Sequence, residues 1–109
     1  MSGTLLSILL AQRGFESELF ERSADPRRTP PHELAPAILS LGERGRYALR
    51  LAGLEDAVGQ LVTAMRGRMM HDRRGATTLQ PYGVHAYEAL YSIRRERLIH
   101  CLLDAAEAT

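Results

Sequence analysis

The stretch GTLLSILLAQRGFESELFER, residues 3–22, decides the fold class of this chain. Its first half carries leucines at helical spacing and predicts a helix over residues 3–13, with Gly14 where a left-handed C-terminal cap is expected. Residues 15–21 then alternate between two faces, which predicts a β-strand. A helix that leads directly into a strand indicates an α/β fold.

A glycine at the start of a helix and an acid after the next strand form the pattern with which α/β folds hold a dinucleotide. The glycine lets the backbone approach the pyrophosphate, the helix N-terminus offers N–H groups to it, and the acid accepts hydrogen bonds from ribose hydroxyls. Gly3 and Glu21 are eighteen positions apart, against an expected spacing of about 20 residues. The spacing also fits a plain helix start and an ordinary strand-end carboxylate, so it leaves both interpretations open.

The composition describes one small domain without a strong overall charge. The chain has 109 residues, 45% of them hydrophobic, and a formal net charge of +1. Such a charge attracts neither nucleic acid nor an anionic membrane, so we expect anion binding to be local. The apolar run Leu5–Ala11 is far shorter than the roughly 20 residues of a membrane-spanning helix, and it lacks the flanking pattern of a signal peptide.

The numbers and positions of cysteine, histidine and arginine indicate the compartment and source of the protein and whether it binds a metal. Cys101 is the only cysteine and can form no internal disulfide, which fits a reducing compartment, by default the cytoplasm. All fourteen basic residues are arginine, which favours a bacterial source. The four histidines, at positions 32, 71, 85 and 100, have no partners at ligand spacing, so no metal site is predicted.

The remaining sequence predicts one long loop, three helices and three strands. Residues 23–36 carry several prolines and predict an exposed loop that excludes helix and central strand. Further helices are predicted over residues 42–52, 54–62 and 95–108. Strands are predicted over residues 65–72, 76–80 and 89–93, the first two forming a hairpin that turns at Arg73-Arg74-Gly75.

Four groups of residues carry a resemblance that covers nearly the whole chain. They are residues 3–14 with 19–27, residues 43–55, residues 65–71 with 81–83, and residues 91–98. Together they resemble the kynurenine 3-monooxygenase branch of the flavin-dependent aromatic hydroxylases. Several dispersed motifs agree in order and spacing, which is more specific than one glycine pattern.

The resemblance implies an FAD site. Gly3 corresponds to the last glycine of the family's nucleotide loop, and Glu21, followed by Arg22, corresponds to the acceptor of the adenosine ribose. Arg95 corresponds to an arginine that lies against the flavin. By this resemblance the cofactor-binding residues are Gly3, Glu21, Arg22 and Arg95.

The resemblance also implies a substrate site on the hairpin. Arg68 would hold the carboxylate of an amino-acid-like substrate with its planar guanidinium, and Tyr82 would donate a hydrogen bond to the same group. Without the family context, an exposed hairpin arginine and a packed tyrosine are the ordinary interpretation.

The implied fold is a partial Rossmann-like FAD-binding domain of the aromatic hydroxylase type over residues 1–109, with its first strand missing and a β-hairpin from the substrate-binding region. Residues 1–22 would form the helix and second strand of the dinucleotide fold, residues 65–93 the substrate-side strands, and residues 95–108 a helix. Ala35 stands where the family has an arginine, and Pro36 removes a backbone donor, which weakens the case for flavin contact there.

The implied function is part of an FAD-dependent monooxygenase that uses NADPH to hydroxylate an aromatic amino-acid-like substrate such as kynurenine. We expect little or no hydroxylase activity from this chain alone, because other parts of the family's flavin pocket are missing from it. Two alternatives stay open. One is a non-catalytic remnant or partner-binding module without flavin, and the other is an FAD fold completed by a downstream polypeptide.

Overall fold

The structure is a computed structural model that describes residues 1–85 and 87–109. Its helices are α1 (Ser2–Ala11), α2 (Glu43–Leu51), α3 (Glu55–Gly59) and α4 (Arg95–Glu107), and a short 3-10 helix covers Pro31–Glu33. Its strands are β1 (Ile38–Leu41), β2 (Thr63–Met65), β3 (Gly67–His71), β4 (Thr77–Pro81) and β5 (Leu90–Arg94).

The strands form two small antiparallel sheets. In the first, β5 lies between β1 and β2, so that Ser92 faces Ser40 on one side and Thr63 on the other. The second is the hairpin of β3 and β4, in which Arg68 pairs with Gln80. The predicted α/β class is therefore confirmed, with antiparallel pairing in both sheets.

The helices pack on the first sheet around a small apolar core. Its buried side chains come from the four α-helices, from the residue that follows α2 and from β5, and they are Ile8, Leu49, Ala52, Val58, Ile93, Leu98 and Leu102. Since β5 runs directly into α4, one continuous segment supplies both the centre of the sheet and a helix that covers it. The amide of Arg95 donates to the carbonyl of Ala37 at 2.9 Å and ties the start of α4 to the chain before β1.

Gly14 ends α1 as predicted. Its φ angle is +80°, and the amide of the next residue, Phe15, donates to the carbonyl of Leu10 at 3.0 Å. This left-handed cap satisfies a carbonyl that the helix cannot bond internally. Gly53, with a φ of +74°, ends α2 in the same way.

The predicted strand over residues 15–21 is wrong. This segment pairs with no strand among the described residues, and Phe15, Leu19 and Phe20 are largely exposed. An alternating pattern shows that a segment can form a strand. The strand also needs a neighbour whose N–H and C=O groups complete the ladder, and the pattern does not reveal whether one is present.

Two elements near the middle of the chain are absent from the predicted set. The loop predicted to exclude helix contains the 3-10 helix Pro31–Glu33, which begins at a proline because its fixed φ suits a first helical position. β1 follows it, with Ile38 67% exposed and Leu39 and Leu41 packed against the core. Its alternation is present in the sequence, but Pro36, two positions before it, favours a loop.

The other predicted elements are confirmed with shifted ends. α3 is shorter than the predicted helix over residues 54–62. The predicted strand over residues 65–72 divides, because Met65 ends β2 in the first sheet and Gly67 begins β3 in the hairpin. The hairpin turn is confirmed, with Gly75 at a φ of +84°.

Candidate functional site

An open groove of about 400 Å³ lies between α1, α4 and the segment that follows α1. Gly3 and Thr4 line it from α1, and Arg95 lines it from the first turn of α4. Glu21 lines it from the segment between them. The groove therefore brings together three of the four residues that were predicted to bind the cofactor, while Arg22 is exposed and outside the lining.

The first turn of α1 borders this groove. The helix begins at Ser2 without a side-chain cap, and the first N–H groups of any helix have no partner within it. These groups carry a partial positive charge that attracts anions. A Cβ atom built on Gly3 would lie 3.1 Å from Cδ1 of Leu19, so a side chain at this position would crowd the groove.

Glu21 supplies a carboxylate to the groove. Its Oε1 accepts a hydrogen bond from the amide of Ser23 at 2.9 Å, and that bond lowers the pKa of Glu21 below its ordinary value. The exposed carboxylate is therefore ionised at neutral pH. It can accept hydrogen bonds from hydroxyl groups of a ligand.

A charge cluster that the sequence analysis did not predict holds the loop after Glu21 against α4. Arg27 forms ion pairs with Asp25 and Asp104 at 2.8 Å and with Glu107 at 2.6 Å. The hydrogen bonds from Arg27 lower the pKa of Asp25 to about 2 and hold the pKa of Glu107 below its ordinary value. The one signal in the sequence is the local Asp25-Pro26-Arg27 turn, which does not reveal the partners on α4.

A second charge cluster joins α2 to α3. Arg50 donates to the carboxylate of Glu55 at 2.6 and 2.8 Å, and Arg46 donates to it at 3.0 Å. The guanidinium of Arg46 also lies 4.8 Å above the ring of Tyr91. None of these residues lines the groove, so we assign this cluster to the scaffold.

Arg68 and Tyr82 lie on one face of the hairpin. Arg68 is opposite Gln80, and its Nε donates to Oε1 of Gln80 at 2.8 Å. The amide of Tyr82 donates to the carbonyl of Arg66 at 2.9 Å, which extends the pairing so that Arg68 and Tyr82 are diagonal neighbours. Both side chains are exposed, and neither lines the groove.

Residues 1–85 and 87–109 contain neither a group of metal ligands nor a helix that could span a membrane. In that part of the chain, no three His, Cys, Asp or Glu side chains are placed to hold a metal ion. None of its helices combines the length and the apolar character needed to cross a membrane. Cys101 is half-buried and packs against the core, and burial raises the pKa of its thiol.

Several known proteins with the same name match this chain, although no protein-family model does. The chain is 47% identical over 107 residues to the kynurenine 3-monooxygenase of Xanthomonas campestris pv. campestris (strain 8004), a match that covers 98% of this chain and 24% of that protein. The kynurenine 3-monooxygenases of Stenotrophomonas maltophilia (strain K279a) and Xanthomonas axonopodis pv. citri (strain 306) are 45% and 46% identical over the same length.

The chain spans about a quarter of the length of the curated relatives that it matches. Those relatives carry the name of the family that the residues themselves resemble, so the resemblance inferred from the sequence is confirmed.

Proposed function

We propose that this chain, as a relative of bacterial kynurenine 3-monooxygenases, is part of an FAD-dependent monooxygenase that uses NADPH to hydroxylate an aromatic amino-acid-like substrate such as kynurenine. The observation that carries the proposal is the groove that joins Gly3, Glu21 and Arg95. By the family resemblance, each of these positions contacts FAD. We further propose that residues 1–109 contribute part of a Rossmann-like FAD-binding domain.

The residues that line the groove suit the adenosine half of FAD. Backbone N–H groups at the start of α1 would bind the pyrophosphate, and Glu21 would accept hydrogen bonds from the ribose hydroxyls. By the family resemblance Arg95 would lie against the flavin, and we propose that Arg22 adds positive charge at the edge of the groove. A volume of about 400 Å³ lies within the usual range of small-molecule sites. When bound, FAD supplies oxidative chemistry that side chains do not provide.

The hairpin would position the substrate and would take no part in bond making. The guanidinium of Arg68 would form two parallel hydrogen bonds to the substrate carboxylate, and Tyr82 would donate a third. The existing bond from Nε of Arg68 to Gln80 fixes one edge of the guanidinium and orients the rest of it.

The FAD proposal is tested by titrating the purified chain with FAD and following flavin fluorescence. We expect binding by the wild-type chain. The Glu21→Gln variant should bind roughly ten- to a hundredfold more weakly, since a hydrogen bond to a charged group contributes about 1.5 to 3 kcal/mol. The matched control is Glu18→Gln, which changes an exposed carboxylate that does not line the groove. A chain that binds no FAD, either alone or with the downstream polypeptide added, would contradict the proposal.

The substrate proposal requires a complete enzyme. The matching quarter of the Xanthomonas campestris relative can be replaced by this chain, and kynurenine-dependent NADPH oxidation measured in the chimera. Arg68→Ala should raise the KM for kynurenine by about tenfold or more while FAD stays bound, because only the carboxylate contact is lost. Arg74→Ala, on the hairpin turn, serves as the control. Equal loss of FAD binding and substrate binding in Arg68→Ala would contradict the role of Arg68 in holding the substrate carboxylate.

A second candidate is a partner-binding module without flavin, and exposed apolar side chains favour it. Phe20, Val84 and Tyr87 are 86%, 91% and 75% exposed. The same FAD titration, repeated with the downstream polypeptide added, distinguishes the possibilities. Binding only in the mixture would indicate an FAD fold completed by two chains, and a complex that binds no FAD would favour the module.

A further inference from the structure

Arg27 uses every hydrogen-bond donor of its guanidinium. Its Nε donates to Asp25 at 3.1 Å, and its Nη1 donates to Asp104 and Glu107, both at 2.8 Å. Its Nη2 donates to Asp25 at 2.8 Å and to Glu107 at 2.6 Å. Because a guanidinium has five N–H donors, a single side chain bonded in this way joins three carboxylates in one fixed geometry.

These bonds connect the two walls of the groove described above. The loop wall is lined by Ser23, Ala24 and Pro26, and the α4 wall by Arg95, Ile99 and Leu103. Asp25 and Arg27 alternate with the lining residues of the loop, and their side chains reach the end of α4. The cluster therefore fixes how far the loop lies from α4.

The arrangement would be unfavourable without Arg27. Asp104 and Glu107 are three positions apart on α4 and repel each other, and both lie near the helix C-terminus, where the helix dipole disfavours negative charge. The carboxylate of Asp25 would add a third negative charge to this region. Removing Arg27 should therefore move the loop away from α4 as well as remove an attraction.

We propose that Arg27 is a positioning residue of the nucleotide groove, which holds the loop at the distance from α4 that lets Glu21 and Arg95 contact one dinucleotide. Arg27 does not touch the cofactor in this proposal. The inference rests on the proposed FAD site and adds a residue to which the family resemblance assigned no role.

The test compares FAD and ADP binding by the wild-type chain, Arg27→Met, Arg27→Lys and the matched control Arg50→Met. Arg27→Met should weaken both FAD and ADP by about tenfold or more, since the loop carries Glu21, which would bind the adenosine ribose that both ligands contain. The affinities of Arg27→Lys should lie between those of the wild type and of Arg27→Met, because lysine restores the charge without the planar set of donors. Arg50→Met breaks a comparable cluster away from the groove and should leave both affinities unchanged.

Each contrary result has a distinct meaning. Unchanged affinities in a folded Arg27→Met chain overturn the positioning role and leave the proposed function intact. Equal weakening by Arg27→Met and Arg50→Met indicates a general loss of stability and also overturns it. A wild-type chain that binds neither FAD nor ADP, alone or with the downstream polypeptide added, overturns the proposed function and this inference together. If circular dichroism shows that Arg27→Met is unfolded, Asp104→Asn, which removes the negative charge of one of the three partners of Arg27, must weaken the binding of both ligands for the proposal to stand.

Discussion

Asp25 shows how one carboxylate can serve a turn and a tertiary contact together. Its Oδ1 accepts from the amide of Arg27 at 2.9 Å and from the Nε of the same residue at 3.1 Å. Its backbone carbonyl accepts from the hydroxyl of Thr29 at 3.0 Å. The side-chain bonds favour the ionised form of Asp25, so the local turn and the contact with α4 depend on the same charge.

We predict a loss of stability at acid pH that depends on Arg27. The pKa of Asp25 in the folded chain is about 2, against an ordinary value of 3.8. Its contribution is therefore complete above pH 3.8 and is lost as the pH falls through about 2. Arg27→Met should bring the pKa of Asp25 back towards its ordinary value. The free energy of unfolding of this variant, measured with urea, should therefore change less between pH 3.8 and about pH 2 than that of the wild type. The same dependence of unfolding free energy on pH in both proteins would contradict the prediction.

At the scale of helices and strands, the sequence predicts those elements whose determinants are close together in the chain. The cap at Gly14 and the hairpin turn at Gly75 depend on neighbouring residues, and both are confirmed. Residues 15–21 fail as a strand and β1 is absent from the predicted set, because pairing depends on distant partners. β1, for example, pairs with β5, which follows far along the chain.

At the candidate site, Gly3, Glu21 and Arg95 line the groove, and Arg22 lies outside its lining. The family resemblance supplied all four as cofactor-binding candidates. It supplied nothing about Arg27, whose partners on α4 lie 77 and 80 positions later in the chain. A contact of this kind follows only from the three-dimensional arrangement.

A pair of glycine substitutions tests the cap of α1. A Cβ atom would meet no heavy atom within 4 Å at either Gly14 or Gly59, so the two sites differ in backbone conformation alone. Gly14→Ala should destabilise the chain by about 1 to 2 kcal/mol, because its φ of +80° is unfavourable for alanine. Gly59→Ala, at the end of α3, should stabilise it by roughly 0.4 to 1 kcal/mol. Urea unfolding measures the change in unfolding free energy for both variants. Two changes of the same sign would contradict the left-handed cap at Gly14.

At the scale of the whole molecule, the packed helices and the hairpin form two regions of different character. All residues of β4 are exposed, and in β3 every residue after Gly67 is exposed. The radius of gyration is 17.2 Å, against about 13 Å for a compact domain of roughly this size. Stability should therefore depend on the helical region and very little on the hairpin.

Two apolar substitutions test this division. Ile93 is 2% exposed at the centre of the first sheet, and Ile93→Ala should cost about 2 to 5 kcal/mol of unfolding free energy. Leu79, in β4, is 61% exposed, and Leu79→Thr should change stability by less than about 0.5 kcal/mol. Denaturant unfolding followed by circular dichroism gives both values. A large cost at Leu79 would show that the hairpin is covered in solution.

The shape of the chain also governs how it moves through solvent. Its principal axes measure 58, 34 and 19 Å, and an elongated body meets more friction than a sphere of equal mass. A monomer of 12.1 kDa should accordingly diffuse slowly and leave a gel-filtration column with larger, rounder proteins. An early elution volume would therefore reflect the extended hairpin and would not by itself indicate an oligomer. Light scattering is needed to measure the number of subunits.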